Sequence, residues 1–284
     1  MAKINAMTPV KSILLATDFS DHADNALAYA LKLAEHLESK LYILHVCRIP
    51  SAANSAYPAG YYDAVNMDEI KREADQSMNQ LKQDFLSSTA VEYQCVTRPG
   101  QPSETIREVA QELAVDLIVM GTRWATGLSE WLGSVTTDVV EKCDYPILAI
   151  PSNVEFEPPR KFLLTTNLTK MSSLTALDKI KQLVHRFNAK LDVLYIRPHK
   201  KELTTEQLHF QNALENYFAD TPHHLHTLVC DDVNEGIHRY LAQHEMDVLT
   251  MIPQQRNFIE QLFQASKTRH MLFHTRIPLL AIPN

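Results

Sequence analysis

The chain repeats itself. Ile13-Leu-Leu-Ala-Thr-Asp18 is matched by Phe162-Leu-Leu-Thr-Thr-Asn167, and Lys40-Leu-Tyr-Ile-Leu-His-Val46 by Lys190-Leu-Asp-Val-Leu-Tyr-Ile196. Asp116-Leu-Ile-Val-Met120 returns as Asp247-Val-Leu-Thr-Met251, and Pro146-Ile-Leu-Ala-Ile-Pro151 as Pro278-Leu-Leu-Ala-Ile-Pro283. The offset is 149–150 for the first two pairs and 131–132 for the last two, so the second copy lacks some 18 residues between its second and fourth apolar runs. Four collinear matches mean an internal duplication. The chain therefore divides into residues 1–152 and 153–284, joined by Ser152–Arg160 with Pro158-Pro159.

Each copy alternates two periods. Lys11–Asp18 reads as a buried strand, after which Ser20 or Asp21 can cap a helix whose apolar stripe is Ala23, Ala26, Leu27, Ala30, Leu33, Ala34 and Leu37. Leu41–Val46 is a second strand, residues 49–66 a long loop, and residues 67–88 a charged surface helix. Val91–Arg98 alternates as a strand, Pro99-Gly100 turns the chain, and Ser103 is placed to cap a helix to Ala114. A strand at 116–121, a helix at 134–144 and a short strand at Pro146–Pro151 complete the unit. Strands alternating with helices predict βαβ units and an open, doubly wound, mainly parallel sheet with helices on both faces.

Residues 116–134 carry most of the functional information. The strand breaks at Gly121, a loop passes through Gly127, and Gly133-Ser134 leads into a helix with Val135, Val139 and Val140 at helical spacing. Glycine lets backbone N–H groups approach an anion, and the helix start adds unpaired donors and the positive end of its dipole. The same residues also serve an ordinary strand-to-helix connection.

Composition narrows the partners. Residues 1–152 hold 12 Lys+Arg against 20 Asp+Glu, hence −8, and residues 153–284 hold 15 against 14, hence +1. Neither half has the basic excess that nucleic acid requires. No apolar run reaches the roughly 18–20 residues of a membrane span, and the start Met-Ala-Lys-Ile-Asn-Ala-Met lacks a signal-peptide pattern. Four scattered cysteines without CxxC spacing fit a reducing cytoplasm. There is no Gly-Lys-Ser/Thr phosphate loop and no GxGxxG, which disfavours an efficient NTPase or a dehydrogenase.

Strand-end Asp18, the His45-Val46 end of the second strand, the glycine loop running into Gly133-Ser134 and the closing Pro146–Pro151 strand together resemble the universal stress protein family, here as a tandem pair. The resemblance implies two flavodoxin-like (adenine nucleotide alpha hydrolase-like) domains, each a five-stranded sheet of order 3-2-1-4-5. One branch of that family binds ATP through Gly-x2-Gly-x9-Gly-Ser/Thr, and another lacks the pattern and does not bind it. Carried across, Gly121 is the first glycine and Gly133-Ser134 the final pair; Asp18 meets the sugar or a Mg²⁺ ion, and Val46 offers its backbone to adenine. The implied pocket is lined by Ala16, Thr17, Asp18, Val46, Gly121, Gly127, Gly133, Ser134 and Val135, and holds ATP or a related adenine nucleotide.

Two departures matter. Trp124 stands at the second glycine position, with eight residues rather than nine before Gly133. With a positive φ there, the tryptophan carries about 1–3 kcal/mol of strain, and about 1.4 kcal/mol already costs tenfold in affinity. Against this, Trp124 can stack on a base and Gly127 can take over as the permissive residue. The second copy departs further: Ile252–Ser266 contains no glycine, Pro253 follows the strand, Asn167 replaces Asp18, and Phe258, Ile259, Leu262 and Phe263 suit an apolar helical face.

The expectation is a cytoplasmic tandem protein that senses or regulates rather than turns over substrate. Its leading copy binds nucleotide; its trailing copy is a degenerate, built-in partner. The last strands pair across a dimer in this family, so Pro146–Pro151 and Pro278–Pro283 are expected to pair within one chain, with a further homodimer open. The alternative is an interaction protein without nucleotide, its pocket blocked by Trp124; a slow ATP hydrolase needs a water-activating group, and no His or Lys stands at a motif distance from Asp18. Other candidates are weaker. His224 and His226 share a strand face but lack a second cluster at ligand spacing, Cys47 reads as a small buried residue, and Tyr57, Tyr61 and Tyr62 read as an aromatic patch or a ligand cover.

Overall fold

The computed structural model describes residues 10–48, 65–122, 134–152, 154–168, 174–253 and 277–284, with residues 65–67 and 134 described in backbone alone. The first half contributes strands β1 (Ser12–Thr17), β2 (Lys40–Arg48), β3 (Tyr93–Gly100), β4 (Leu117–Thr122) and β5 (Ile147–Pro151). Its helices are α1 (Asp21–Leu37), α2 (Val65–Leu81), α3 (Pro102–Glu112) and α4 (Ser134–Lys142). The second half contributes β6 (Lys161–Thr166), β7 (Lys190–Arg197), β8 (His223–Val229), β9 (Val248–Met251) and β10 (Leu279–Ala281). Among its described residues the helices are α5 (Thr175–Arg186), α6 (Thr205–Tyr217) and α7 (Val233–Gln243).

The ten strands among the described residues form one sheet in the order β3-β2-β1-β4-β5-β10-β9-β6-β7-β8. Each half runs 3-2-1-4-5 in its own count, and pairing inside each half is parallel. The halves meet at the antiparallel pair β5–β10, where Leu279 faces Ala149 and Ala281 faces Ile147. Each of these strands would otherwise be an exposed sheet edge, so their union closes two edges at once.

The duplication is visible atom by atom at the strand starts. Lys11 N and Ser12 N both donate to Asp116 Oδ2, at 2.7 and 3.0 Å. Arg160 N and Lys161 N donate in the same way to Asp247 Oδ2, at 2.7 and 2.8 Å. Alternation of side chains across the sheet then splits the core into two layers. One face buries Ile13, Leu15, Phe162 and Leu164 under α1, α2, α5 and α6; the other buries Leu14, Leu163, Ile118 and Leu249 under α3, α4 and α7.

Helix α1 follows its sequence signals: Ser20 Oγ accepts from Ala23 N, Asp21 and Asp24 sit at the positive end of the dipole, and the whole apolar stripe is buried. Three expected boundaries move. Ser103 does not cap α3; Gln101 in extended conformation precedes Pro102, whose preset φ and missing N–H suit the first helical position, and Ser103 Oγ donates instead to Asp138 Oδ2 of α4 at 2.9 Å. The turn expected at Pro99-Gly100 is still strand, with Pro99 opposite Cys47 and Gly100 opposite Arg48, because β3 is an edge strand where a missing N–H is harmless. The helix expected over 67–88 is α2 followed by a five-residue π turn, Lys82–Leu86, that buries Leu86.

All four cysteines are free thiols, Cys47, Cys143 and Cys230 buried and Cys95 half-buried. Burial raises the pKa of Cys47, Cys95 and Cys143, which keeps those thiols protonated and inert. Among the described residues no helix is long and apolar enough to cross a membrane.

Candidate functional site

In a doubly wound sheet the crevice opens where neighbouring crossovers leave in opposite directions, at the C-terminal ends of the strands. Here that point lies between β1 and β4, and a cavity of about 390 Å³ sits there. Its walls come from Ala16, Thr17 and Asp18 at the end of β1; Leu44, Val46 and Arg48 of β2; and Met120 and Gly121 of β4. The first turn of α1 adds Ser20, His22 and Ala23, α3 adds Pro102 and Ile106, and α4 adds Val135 and Thr136. Small-molecule sites have volumes of roughly 300–1,000 Å³.

The turn after β1 is held in an unusual conformation. Phe19 has φ 59°, the left-handed region that costs a non-glycine residue free energy. Three contacts hold it: Phe19 N donates to Thr17 Oγ1 at 3.0 Å, His45 Nδ1–H donates to Thr17 O at 3.0 Å, and the Phe19 and His45 rings lie 4.3 Å apart. Asp18 is thereby presented at the exposed rim. Its Oδ1 accepts from Ser20 N at 3.1 Å and Ser20 Oγ at 2.5 Å, which leaves Oδ2 outside those bonds.

Gly121 has a second reason to be glycine. A Cβ there would lie 2.5 Å from the carbonyl oxygen of His22, so α1 could not pack this closely on β4 with any other residue. The seam is tied further by Ser152 Oγ, which donates to Thr122 O at 3.1 Å and accepts from His22 Nδ1–H at 2.6 Å. Backbone approach to a phosphate is thus not needed to account for this glycine.

Of the nine residues expected in the pocket, the structure brings Ala16, Thr17, Asp18, Val46, Gly121 and Val135 around one cavity. Ser134 begins α4 beside it. Gly127, Gly133, Trp124 and the Tyr57, Tyr61 and Tyr62 group lie outside the described residues, as does most of the glycine-free segment that starts at Ile252. Sequence reasoning missed Arg48, His22, Pro102, Ile106 and Thr136. Two of these left a signal: Arg48 is two residues beyond Val46, hence on the same strand face, and His22 is four beyond Asp18 at the helix start. His22 lines the same cavity as Asp18, with its Nδ1 engaged with Ser152 Oγ.

At the matched end of the second half, bulkier buried side chains stand, among the described residues, where the first half has its cavity. The Phe19 turn recurs at Leu168, φ 54°, whose N donates to Thr166 Oγ1 at 3.1 Å. Strand register and the aligned starts of α3 (Pro102) and α7 (Val233) place Ile196 in the role of Val46, Ile252 at Gly121 and Gly236 at Thr105, while Ile106 keeps its counterpart in Ile237. Gly236 draws α7 so close to β7 that a Cβ there would be 2.7 Å from Ile196 Cδ1. Ile196 and Ile252 are both buried, and Gln207 Nε2 donates to Asn167 O at 3.4 Å and Tyr195 Oη at 3.1 Å.

The strand histidines meet a carboxylate. Asp192 accepts from Tyr240 Oη at 2.8 Å, with His224 Nδ1 and His226 Nε2 each 3.8 Å from its oxygens. Among the described residues no three His, Cys, Asp or Glu side chains have metal-site geometry.

The family model for "Universal stress protein family" matches residues 9–151, half of the chain. The chain belongs to the universal stress protein family. The universal stress protein YxiE of Bacillus subtilis is 31% identical over 145 residues, 49% of this chain and 97% of its own length. A universal stress protein from Archaeoglobus fulgidus superposes with TM-score 0.71 at 15% identity, over 96% of this chain and 98% of that one. A putative universal stress protein from Pseudomonas aeruginosa gives TM-score 0.60 at 15% identity, over 98% and 95%. At such identities these two speak for the fold alone, and they do so across both halves.

Proposed function

We propose that this universal stress protein is a regulatory or sensing protein that binds ATP or a related adenine nucleotide, with Mg²⁺, in the cavity of its first half. One observation carries the reading: the crevice at the end of β1 is open in the first half, while the same position in the second half is packed with Ile196 and Ile252. In this reading the apolar wall of Leu44, Val46 and Ile106 takes the base, and Asp18 takes the sugar or the metal through Oδ2. The start of α4 at Ser134 and the Arg48 cation favour the anionic end of the ligand. Residues 153–284 act as the built-in partner, a degenerate domain that replaces a second subunit, and the protein works in the cytoplasm.

Isothermal titration calorimetry of the full chain with ATP and Mg²⁺ tests this. The expected result is one site per chain, weakened about tenfold by Asp18→Asn, or 1.4 kcal/mol. Absence of heat at millimolar nucleotide overturns the reading and leaves an interaction protein; tighter binding by Trp124→Gly identifies the indole as an obstruction.

A further inference from the structure

On the helical face shared by α1 and α5, the duplication creates two matched grooves at the starts of the strands, and they are used differently. The groove beside α1 is filled by the linker between the halves. Asn25 Nδ2 donates to Pro151 O at 3.1 Å and Val154 O at 3.3 Å, and the Phe156 ring meets Tyr29 edge-on at 5.1 Å and His36 at 6.1 Å. The groove beside α5, about 510 Å³, is walled by Val10, Asp116 and Pro146 of the first half and by Lys179, Leu183 and Arg186 of α5. Matching Ala26-Leu27 of α1 with Ala176-Leu177 of α5 puts Lys179 at the place of Tyr29 and Arg186 at the place of His36.

What fills the first groove is the stretch leading into β6, so its counterpart is the stretch leading into β1. The paired carboxylate contacts fix that alignment, because Ser12 and Lys161 make the same bond to Asp116 and Asp247. Counting back from them sets Pro9 against Pro158 and Met7 against Phe156. Val10, the first described residue, is itself a wall of the groove. Charge agrees as well: Asp116, Asp178, Lys179 and Arg186 balance one another, and Ile4-Asn-Ala-Met-Thr-Pro9 carries no charge.

We propose that residues 1–9 of this chain dock in the groove between α5 and the first half, with Met7 in the role that Phe156 plays in the matched groove. The segment then lies over the half-buried Lys179, whose ammonium is disfavoured by desolvation and partly restored by Asp116 and Asp144.

Competitive acetylation of lysines in the full chain, read by peptide mass spectrometry, tests the proposal. A variant lacking residues 2–9 should acetylate Lys179 at least threefold faster with Lys190 unchanged, and Met7→Asp should do the same. Equal Lys179 rates in all three proteins overturn it. So does protection of Lys179 in the shortened chain that grows with protein concentration, since a second copy would then be the occupant. A double variant, Met7→Cys with Gln182→Cys, gives an independent reading in the unshortened protein: an intramolecular disulfide is expected on mild oxidation, and its failure to form contradicts the docking.

Discussion

The two halves share a strand order, a pair of carboxylate-held strand starts and the same left-handed turn, at Phe19 and at Leu168, yet among the described residues the first has a cavity beside that turn and the second has buried isoleucines. Three differences stand out among the described residues around that turn. Gly121 becomes Ile252, Val46 becomes Ile196, and Thr105 becomes Gly236, which lets α7 settle onto β7. Scaffold and cavity are therefore separable: the turn survives because it belongs to the β1–α1 connection, and the cavity survives only where small residues line the strand ends.

The strongest test of this comparison asks whether the halves are energetically one body. Leu280 is buried at the β5–β10 seam, opposite Leu148. Leu280→Ala should cost about 2–5 kcal/mol, and hydrogen exchange should show β4 and β9 amides losing protection together. Loss confined to β9 would break the picture of a joined pair. Next in size, Gly121→Ala forces a Cβ against the His22 carbonyl and should destabilise by about 1–3 kcal/mol in chemical denaturation, as overpacking does. A neutral result would mean that α1 yields easily and that the glycine has another purpose. The smallest effect has the opposite sign. Thr250 is fully buried with its hydroxyl unpaired, where the first half has Val119, so Thr250→Val should stabilise by about 1 kcal/mol, read as a higher denaturation midpoint.

Much of the fold was legible because it is written twice. Apolar runs, a helical stripe from Ala23 to Leu37 and the repeat predicted a mainly parallel, doubly wound sheet in each copy; the family resemblance supplied the order 3-2-1-4-5 and the pairing of the last strands, of which β5–β10 is an instance. Boundaries slipped where local chemistry is ambiguous: Ser103 looks like a cap, but Pro102 starts the helix, and Pro99 is tolerated because β3 is an edge. Of the site, the strand ends were legible through the family resemblance, which carried Asp18 and Val46 into the pocket, and both line the cavity at the ends of β1 and β2. Pro102 and Ile106 were not, because they reach the cavity from a helix more than 50 residues beyond β2, through packing that no spacing encodes. Gly121 was legible as a residue but not in its cause, which is the close passage of α1 over β4.

The measurement that bears most directly on the central claim, one open crevice in the leading half and a filled one in the trailing half, is photolabelling of the full chain with 8-azido-ATP followed by peptide mapping. The account predicts label on peptides covering β2 or the start of α3, residues 40–48 and 102–106, that unlabelled ATP competes away. Label on residues 190–198 or 233–237, or label that ATP does not displace, would contradict it.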